Sequence, residues 1–174
     1  VYAGPEGSLA HRGKLLLHED FERPELPQLF TLGKGDWKIV DGTLRGRQLA
    51  DDRHTAFRKI FLDHQDVIYE YDMKLEGDGF HQLLINWDLV HIAKCVVRYD
   101  SLTVFKSKEK KKRLQMEAEN RDQGLDPLRG EWDQPTTAMN QQAIQLEKDK
   151  RYHAVVELVG DTLRLTVDGV TARG

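Results

Sequence analysis

The stretch VIYEYDMKLEGDGF, residues 67–80, places three carboxylates at alternating positions of an expected β-strand. Successive side chains of a strand point to opposite faces, so Glu70, Asp72 and Glu76 share one face. Two carboxylates that flank a glycosidic bond can supply the acid and the base or nucleophile that its hydrolysis needs. Lys74 lies on the same face, and exposed lysine–carboxylate pairs are also what an ordinary solvated strand presents. The spacing therefore leaves a catalytic face and a merely solvated face open.

A second group of polar and aromatic side chains lies between residues 81 and 91. Asn86, Trp87 and Asp88 cluster at an expected strand end, where loops often carry binding groups. A tryptophan face can stack on a sugar ring while asparagine and aspartate bind its hydroxyls. The alternative is a plain turn, because Asn and Asp favour turns and Trp is often half-buried. The expected substrate-binding residues are Asn86, Trp87, Asp88, His91 and, in a later segment, Trp132.

Composition excludes several other functions. A net charge of −3 gives no basic footprint for nucleic acid, and no apolar run approaches the ~20 residues of a membrane span. His81 and His91 have no recognised metal-ligand spacing. The single cysteine, Cys95, excludes an internal disulfide and lies in the apolar stretch IAKCVV, as an inert core thiol would. We expect no metal site and no cofactor from these patterns.

The elements that must position these side chains are expected to be short strands. Turn signals recur roughly every ten residues, which favours an all-β antiparallel sandwich. Asp41-Gly42 is the dipeptide favoured in a type I′ hairpin turn. We expect a flexible lead-in over residues 1–13 and one sandwich domain over residues 14–174. The predicted strand regions are 14–21, a hairpin at 36–48, 55–62, 66–77, 80–89, two strands within 91–108, and three within 151–173.

Residues 106–142 interrupt this pattern with a charged segment, the first part of which is rich in good helix formers. We expect them to form a partly helical or disordered insertion outside the core. The core itself should come from large apolar residues at strand spacing. These are Trp37, Ile39, Leu44, Phe57, Ile60, Tyr69, Tyr71, Met73, Val97, Val104, Val156, Leu158, Leu163, Leu165 and Val167.

The order of segments carries a family resemblance. The stretch LLLHEDF ends in an acidic–Phe pair, and a hairpin follows that contains Trp37, Val40, Asp41, Gly42 and Leu44. This opening, the pair of strands in TAFRKIFLDHQDVIYEYDMKLEG and the ending RYHAVVELVGDTLRLTVDG resemble the 3-keto-disaccharide hydrolase family. That family is related to laminarinases and to the concanavalin-like jelly rolls. The resemblance covers most of the chain outside residues 106–142.

The resemblance implies a concanavalin-like jelly roll that acts on carbohydrate. Glu70 and Asp72 would do acid/base work on glucosides or 3-keto-glucosides, with Glu76 or His81 in support. A structural calcium ion is compatible with such a fold, and we expect a secreted or periplasmic protein. The sequence departs from the family where hydrolases carry Asn-Ser-Gly after the acidic strand, because residues 77–81 read GDGFH. A non-catalytic carbohydrate-binding or assembly module therefore remains the alternative.

The end of the sequence raises a separate expectation. A turn at Asp168-Gly169 leaves only residues 170–174 for a return strand. Family-like sandwiches close with a further strand near the one expected at residues 14–21, and an open inner edge is avoided in native proteins. We expect either further C-terminal strands or another chain to complete the sheet.

Overall fold

The computed structural model describes residues 7–87, 90–107, 115, 118–125 and 136–174. The chain separates into two compact units. One unit consists of Arg12–His64, and the other of Val1–His11 together with Gln65–Gly174. Within the described residues, no helix is long and apolar enough to cross a membrane.

The smaller unit contains four short strands in two antiparallel pairs. The strands are β1 (Gly33–Lys34), β2 (Asp36–Val40), β3 (Thr43–Arg47) and β4 (Phe57–Arg58), and β1 pairs with β4 while β2 pairs with β3. The predicted hairpin is confirmed, because Asp41 and Gly42 connect β2 to β3 with φ values of 49° and 65°. A type I′ turn requires positive φ at both positions. Gly46, opposite Trp37, is required by space, since a Cβ there would lie 2.6 Å from the indole ring.

Two strands predicted in the smaller unit are wrong. Residues 14–21 form no strand, and the strand expected over residues 55–62 is reduced to β4. The carboxylates of Glu19 and Asp20 instead accept the backbone N–H groups two residues further on. Such local bonds compete with a strand ladder. The prediction failed because it was based on apolar runs alone. An apolar run forms a strand only where a neighbouring strand pairs with it.

In its described residues, the larger unit contains two four-stranded antiparallel sheets. One has the order β6–β7–β8–β9, and the other has the order β12–β11–β10–β5. Among these described strands, only the β5–β10 pair joins two that are not consecutive in the chain. The bounds are β5 Val67–Lys74, β6 His81–Trp87, β7 Val90–Val97, β8 Ser101–Ser107, β9 Thr136–Ala143, β10 Arg151–Val159, β11 Thr162–Val167 and β12 Val170–Arg173.

Both sheets contribute to one apolar core, which makes the larger unit β-sandwich-like. The predicted all-β, antiparallel character is therefore confirmed. Among the predicted core residues, Ile60 is exposed, while the four in β2, β3 and β4 are half-buried within the smaller unit. Tyr69, Tyr71 and Leu158 pack against the core from its margin. The predicted residues that are buried in the core are Met73, Val97, Val104, Val156, Leu163, Leu165 and Val167.

The predicted insertion is too long at its C-terminal end. Thr136–Ala143 form β9, which pairs with β8 as an edge strand of its sheet. The polar sequence of β9 did not indicate a strand, because an edge strand can expose many of its side chains. Between the two strands, residues 118–122 are helical. That helix ends in a Schellman motif, in which Gly124 has a φ of 69° and the Leu125 N–H binds the Asn120 carbonyl.

Ser8 and Leu9, within the expected lead-in, form hydrogen bonds to a buried ion pair of the larger unit. Glu157 and Arg164 face each other across β10 and β11, 2.7 Å apart, with side chains only 1% and 5% exposed. Glu157 Oε1 also accepts the Ser8 hydroxyl and, at 2.8 Å, the Leu9 N–H. Burial alone would raise the pKa of Glu157, but these three donors outweigh it and lower the pKa.

We expect Glu157→Ala to reduce the free energy of unfolding by about 3–5 kcal/mol, because it removes the carboxylate that pairs with the buried Arg164 charge. Urea unfolding measures the effect. Glu147→Ala is the matched control, since Glu147 and Lys150 form an exposed pair that should contribute about 1 kcal/mol or less. Equal small losses in both variants would contradict the structural role of the buried pair.

Candidate functional site

The acidic residues of β5 lie on the face opposite the core, as their spacing predicts. Glu70 and Asp72 are exposed, whereas Met73 is buried and Tyr71 packs against the core. The alternation follows directly from the two-residue period of a strand. The structure thus brings two of the four expected catalytic residues together on a solvent-facing surface.

His153 joins these two carboxylates, and nothing near them in the sequence indicates it. It lies on β10 directly opposite Asp72, and Val155 lies opposite Glu70. The ring nitrogen Nδ1 is 2.9 Å from Asp72 Oδ1, and Nε2 is 3.0 Å from Glu70 Oε1. About half of the His153 and Asp72 side chains remains exposed (49% and 51%), so a ligand can reach them. We call Glu70, Asp72 and His153 the carboxylate–histidine cluster.

Glu76 is not a member of this cluster. The strand β5 ends at Lys74, and the Lys74 ammonium lies 2.9 Å from Glu76 Oε1. The alternative of a solvated, salt-bridged strand end therefore describes this part of the face. Arg151 lies opposite Lys74 on β10, so positive charge borders the cluster on that side.

His81 lies away from the acidic face. It occupies the first position of β6, and its ring stacks on Tyr71 with centroids 5.1 Å apart. His81 Nδ1 and Tyr71 Oη are both buried, and neither has a hydrogen-bond partner among the described residues. Burial lowers the pKa of His81 to about 4 and raises that of Tyr71. The ring is therefore neutral at pH 7 and does not assist Glu70 and Asp72.

The second group of expected binding residues is only partly described. Asn86 Oδ1 and His91 Nδ1 lie 2.5 Å apart on neighbouring strands, next to a register shift after Ile85. The two side chains thus bind each other, which fits a local structural role as well as a ligand site. The side chain of Trp87, and all of Asp88 and Trp132, lie outside the described residues. The expected aromatic platform stays a prediction.

Other reactive groups of the described chain do not form a site. Cys95 is 1% exposed, and burial raises the pKa of its thiol to about 12, so it carries no thiolate at neutral pH. Across the described ranges, no group of three or more His, Cys, Asp or Glu side chains is arranged to hold a metal ion. The carboxylate–histidine cluster is therefore the candidate functional site.

Comparison of the chain with protein-family models, with curated proteins and with solved structures finds no match.

The buried His81 predicts acid sensitivity of the fold. Its native pKa of about 4 lies below the usual 6.5, so the unfolded chain binds more protons between these values and stability falls as the pH falls. The loss should reach about 3 kcal/mol, since each pH unit of the difference corresponds to about 1.4 kcal/mol.

Urea unfolding at pH 7 and pH 4 tests this expectation. His81→Leu should remove that part of the pH dependence, whereas His11→Gln, a change at an exposed histidine, should keep it. A pH dependence that is the same in wild type and His81→Leu would rule out His81 as its source.

Proposed function

We propose that the chain is a carbohydrate-binding β-sandwich-like module and that the carboxylate–histidine cluster binds the hydroxyl groups of a sugar. The observation that carries the proposal is the pair of carboxylates held side by side by His153 on a solvent-facing strand pair. Ionised carboxylates are acceptors only and can take two donors from adjacent hydroxyls. Because β5 and β10 hold the three side chains in register, little ordering is required when a ligand binds.

The finer fold assignment is also a proposal. We infer that the larger unit is a concanavalin-like jelly roll of an exported protein, secreted or periplasmic, as the sequence resemblance implies. Two four-stranded antiparallel sheets with one shared core support this assignment.

A second candidate function is hydrolysis of glucosides or 3-keto-glucosides by Glu70 and Asp72. The observation that favours it is the position of both acids on one exposed face of one strand, as hydrolysis by two carboxylates requires. Against it, both carboxylates face ring nitrogens of His153, so neither is arranged as the proton donor that the leaving oxygen needs. We therefore place binding before catalysis.

We expect Asp72→Asn to weaken binding to a panel of soluble oligosaccharides about tenfold or more, since a hydrogen bond to a charged group contributes roughly 1.5–3 kcal/mol. Isothermal titration calorimetry measures the affinity. Asp78→Asn is the control, because Asp78 is an exposed acid in the loop after β5. Unchanged affinity in Asp72→Asn, or no binding to any sugar, would refute the proposal.

The same variants decide the catalytic candidate. If the chain hydrolyses glucosides or 3-keto-glucosides through this strand, release of sugar should fall at least a hundredfold in both Glu70→Gln and Asp72→Asn. Equal turnover in wild type and both variants would refute a catalytic role of these acids. Tight binding of sugar without turnover would support the carbohydrate-binding function alone.

A further inference from the structure

An exposed apolar run follows β4 at the end of the smaller unit. It consists of Ile60, Phe61 and Leu62, and the Phe61 side chain is 62% exposed. In the part of the chain that the structure describes, no backbone hydrogen bond joins these three residues to another segment. Three consecutive exposed apolar residues are unfavourable unless they have a function, and an unpaired strand edge is a template for another strand. The run is therefore a candidate interaction surface.

The backbone hydrogen bonds of Lys59 determine which edge of this run is free. The Lys59 N–H donates to the Leu32 carbonyl at 3.1 Å, and the Lys59 carbonyl accepts the Thr31 N–H at 3.0 Å. Along an antiparallel strand, the polar groups of successive residues point to opposite edges. Because residues 59–64 contain no turn or bend, Ile60 and Leu62 direct their N–H and C=O groups to the edge away from that neighbour.

The sequence Lys59-Ile60-Phe61-Leu62-Asp63 is complementary to itself when two copies run antiparallel. With a twofold axis at Phe61, the two Phe61 residues lie opposite each other, Ile60 lies opposite Leu62, and Lys59 lies opposite Asp63. Ile60 and Leu62 then form the hydrogen-bonded pairs, as the direction of their backbone groups requires. The other pairs are the non-hydrogen-bonded ones, in which side chains lie closer together.

The charges at the two ends of the run favour the same register. Among the described residues, neither Lys59 nor Asp63 forms an ion pair within its own chain. In the antiparallel arrangement, each of these charges meets its opposite in the second copy, once on either side of the axis. Opposite charges across an interface favour the correct partner and register. A second copy of this chain therefore matches the run in both apolar content and charge.

We propose that residues 59–63 pair with the same residues of a second copy and form a twofold-symmetric dimer. The sheet of β1 and β4 has only two strands in one chain, and a two-stranded sheet is marginally stable by itself. Pairing across the axis extends it to four strands. Since each copy uses its free edge once, the interface closes at two chains. The dimer involves the smaller unit and does not depend on the proposed binding of sugar.

Charge reversal tests the dimer, and sedimentation equilibrium of the full chain over a range of concentrations measures it. The wild type should approach the mass of two chains as its concentration rises. Lys59→Asp and Asp63→Lys each place like charges opposite one another, so either should raise the dissociation constant about tenfold or more. The double variant restores opposite charges and should restore the wild-type dissociation constant.

The matched control is Lys14→Asp, a change at an exposed lysine of the same unit, which should keep the wild-type dissociation constant. Three outcomes would overturn the proposal. They are a wild type that stays monomeric at every concentration, assemblies larger than two chains, and a double variant that dimerises no better than the single ones.

A cysteine at the proposed axis tests the register. In a non-hydrogen-bonded antiparallel pair the two Cα atoms lie about 4.5 Å apart, a separation that a disulfide can span. Phe61→Cys should therefore give a covalent dimer on mild oxidation, seen by non-reducing electrophoresis. Leu15→Cys, at a position of the same unit that is 75% exposed, should give little. Cys95 is buried and does not contribute. Equal cross-linking in both variants would refute the pairing.

Discussion

The pairing of β5 with β10 is the constraint on which both the sheet and the candidate site depend. It joins strands whose partners are about 80 residues apart in the chain, while the other ladders of the larger unit join consecutive strands. It adds β5 to the edge of the sheet, next to Ala154 and Val156 of β10, which are fully buried. The same register places His153 opposite Asp72, so one ladder that secures the core also assembles the polar cluster on its outer face. A one-residue slip would turn His153 inward and remove the cluster.

The two faces of this sheet bury different kinds of side chain. The inner face is apolar, but part of the outer face is also buried, at Glu157 and Arg164, where Ser8 and Leu9 supply the remaining donors. A buried ion pair is tolerated only when its hydrogen bonds are satisfied. The outer face thus has a buried region at Glu157 and an exposed region at His153, which lie four positions apart along β10. Residues far from the candidate ligand surface therefore determine how firmly β10 is held.

Local patterns predicted local structure well, and failed where the structure depends on distant partners. The hairpin at Asp41-Gly42 and the alternation of β5 follow from turn chemistry and a two-residue period. Residues 14–21 are predicted to be a strand but form none, whereas most of β9 lies in the predicted insertion. Strand formation depends on a neighbouring strand as well as on apolar content. The shared exposed face of Glu70 and Asp72 follows from their spacing alone. The position of His153 beside them does not, because its alternation with buried Ala154 and Val156 shows which face it takes but not which strand lies beside it.

The burial of Cys95 gives the chain an internal reporter of conformational opening. It is the only cysteine in the sequence, it belongs to the larger unit, and its side chain lies among the core residues. Alkylating reagents need an accessible thiolate, so their reaction with Cys95 requires β7 to separate from its neighbours. The rate of labelling in native conditions therefore follows the opening of the larger unit.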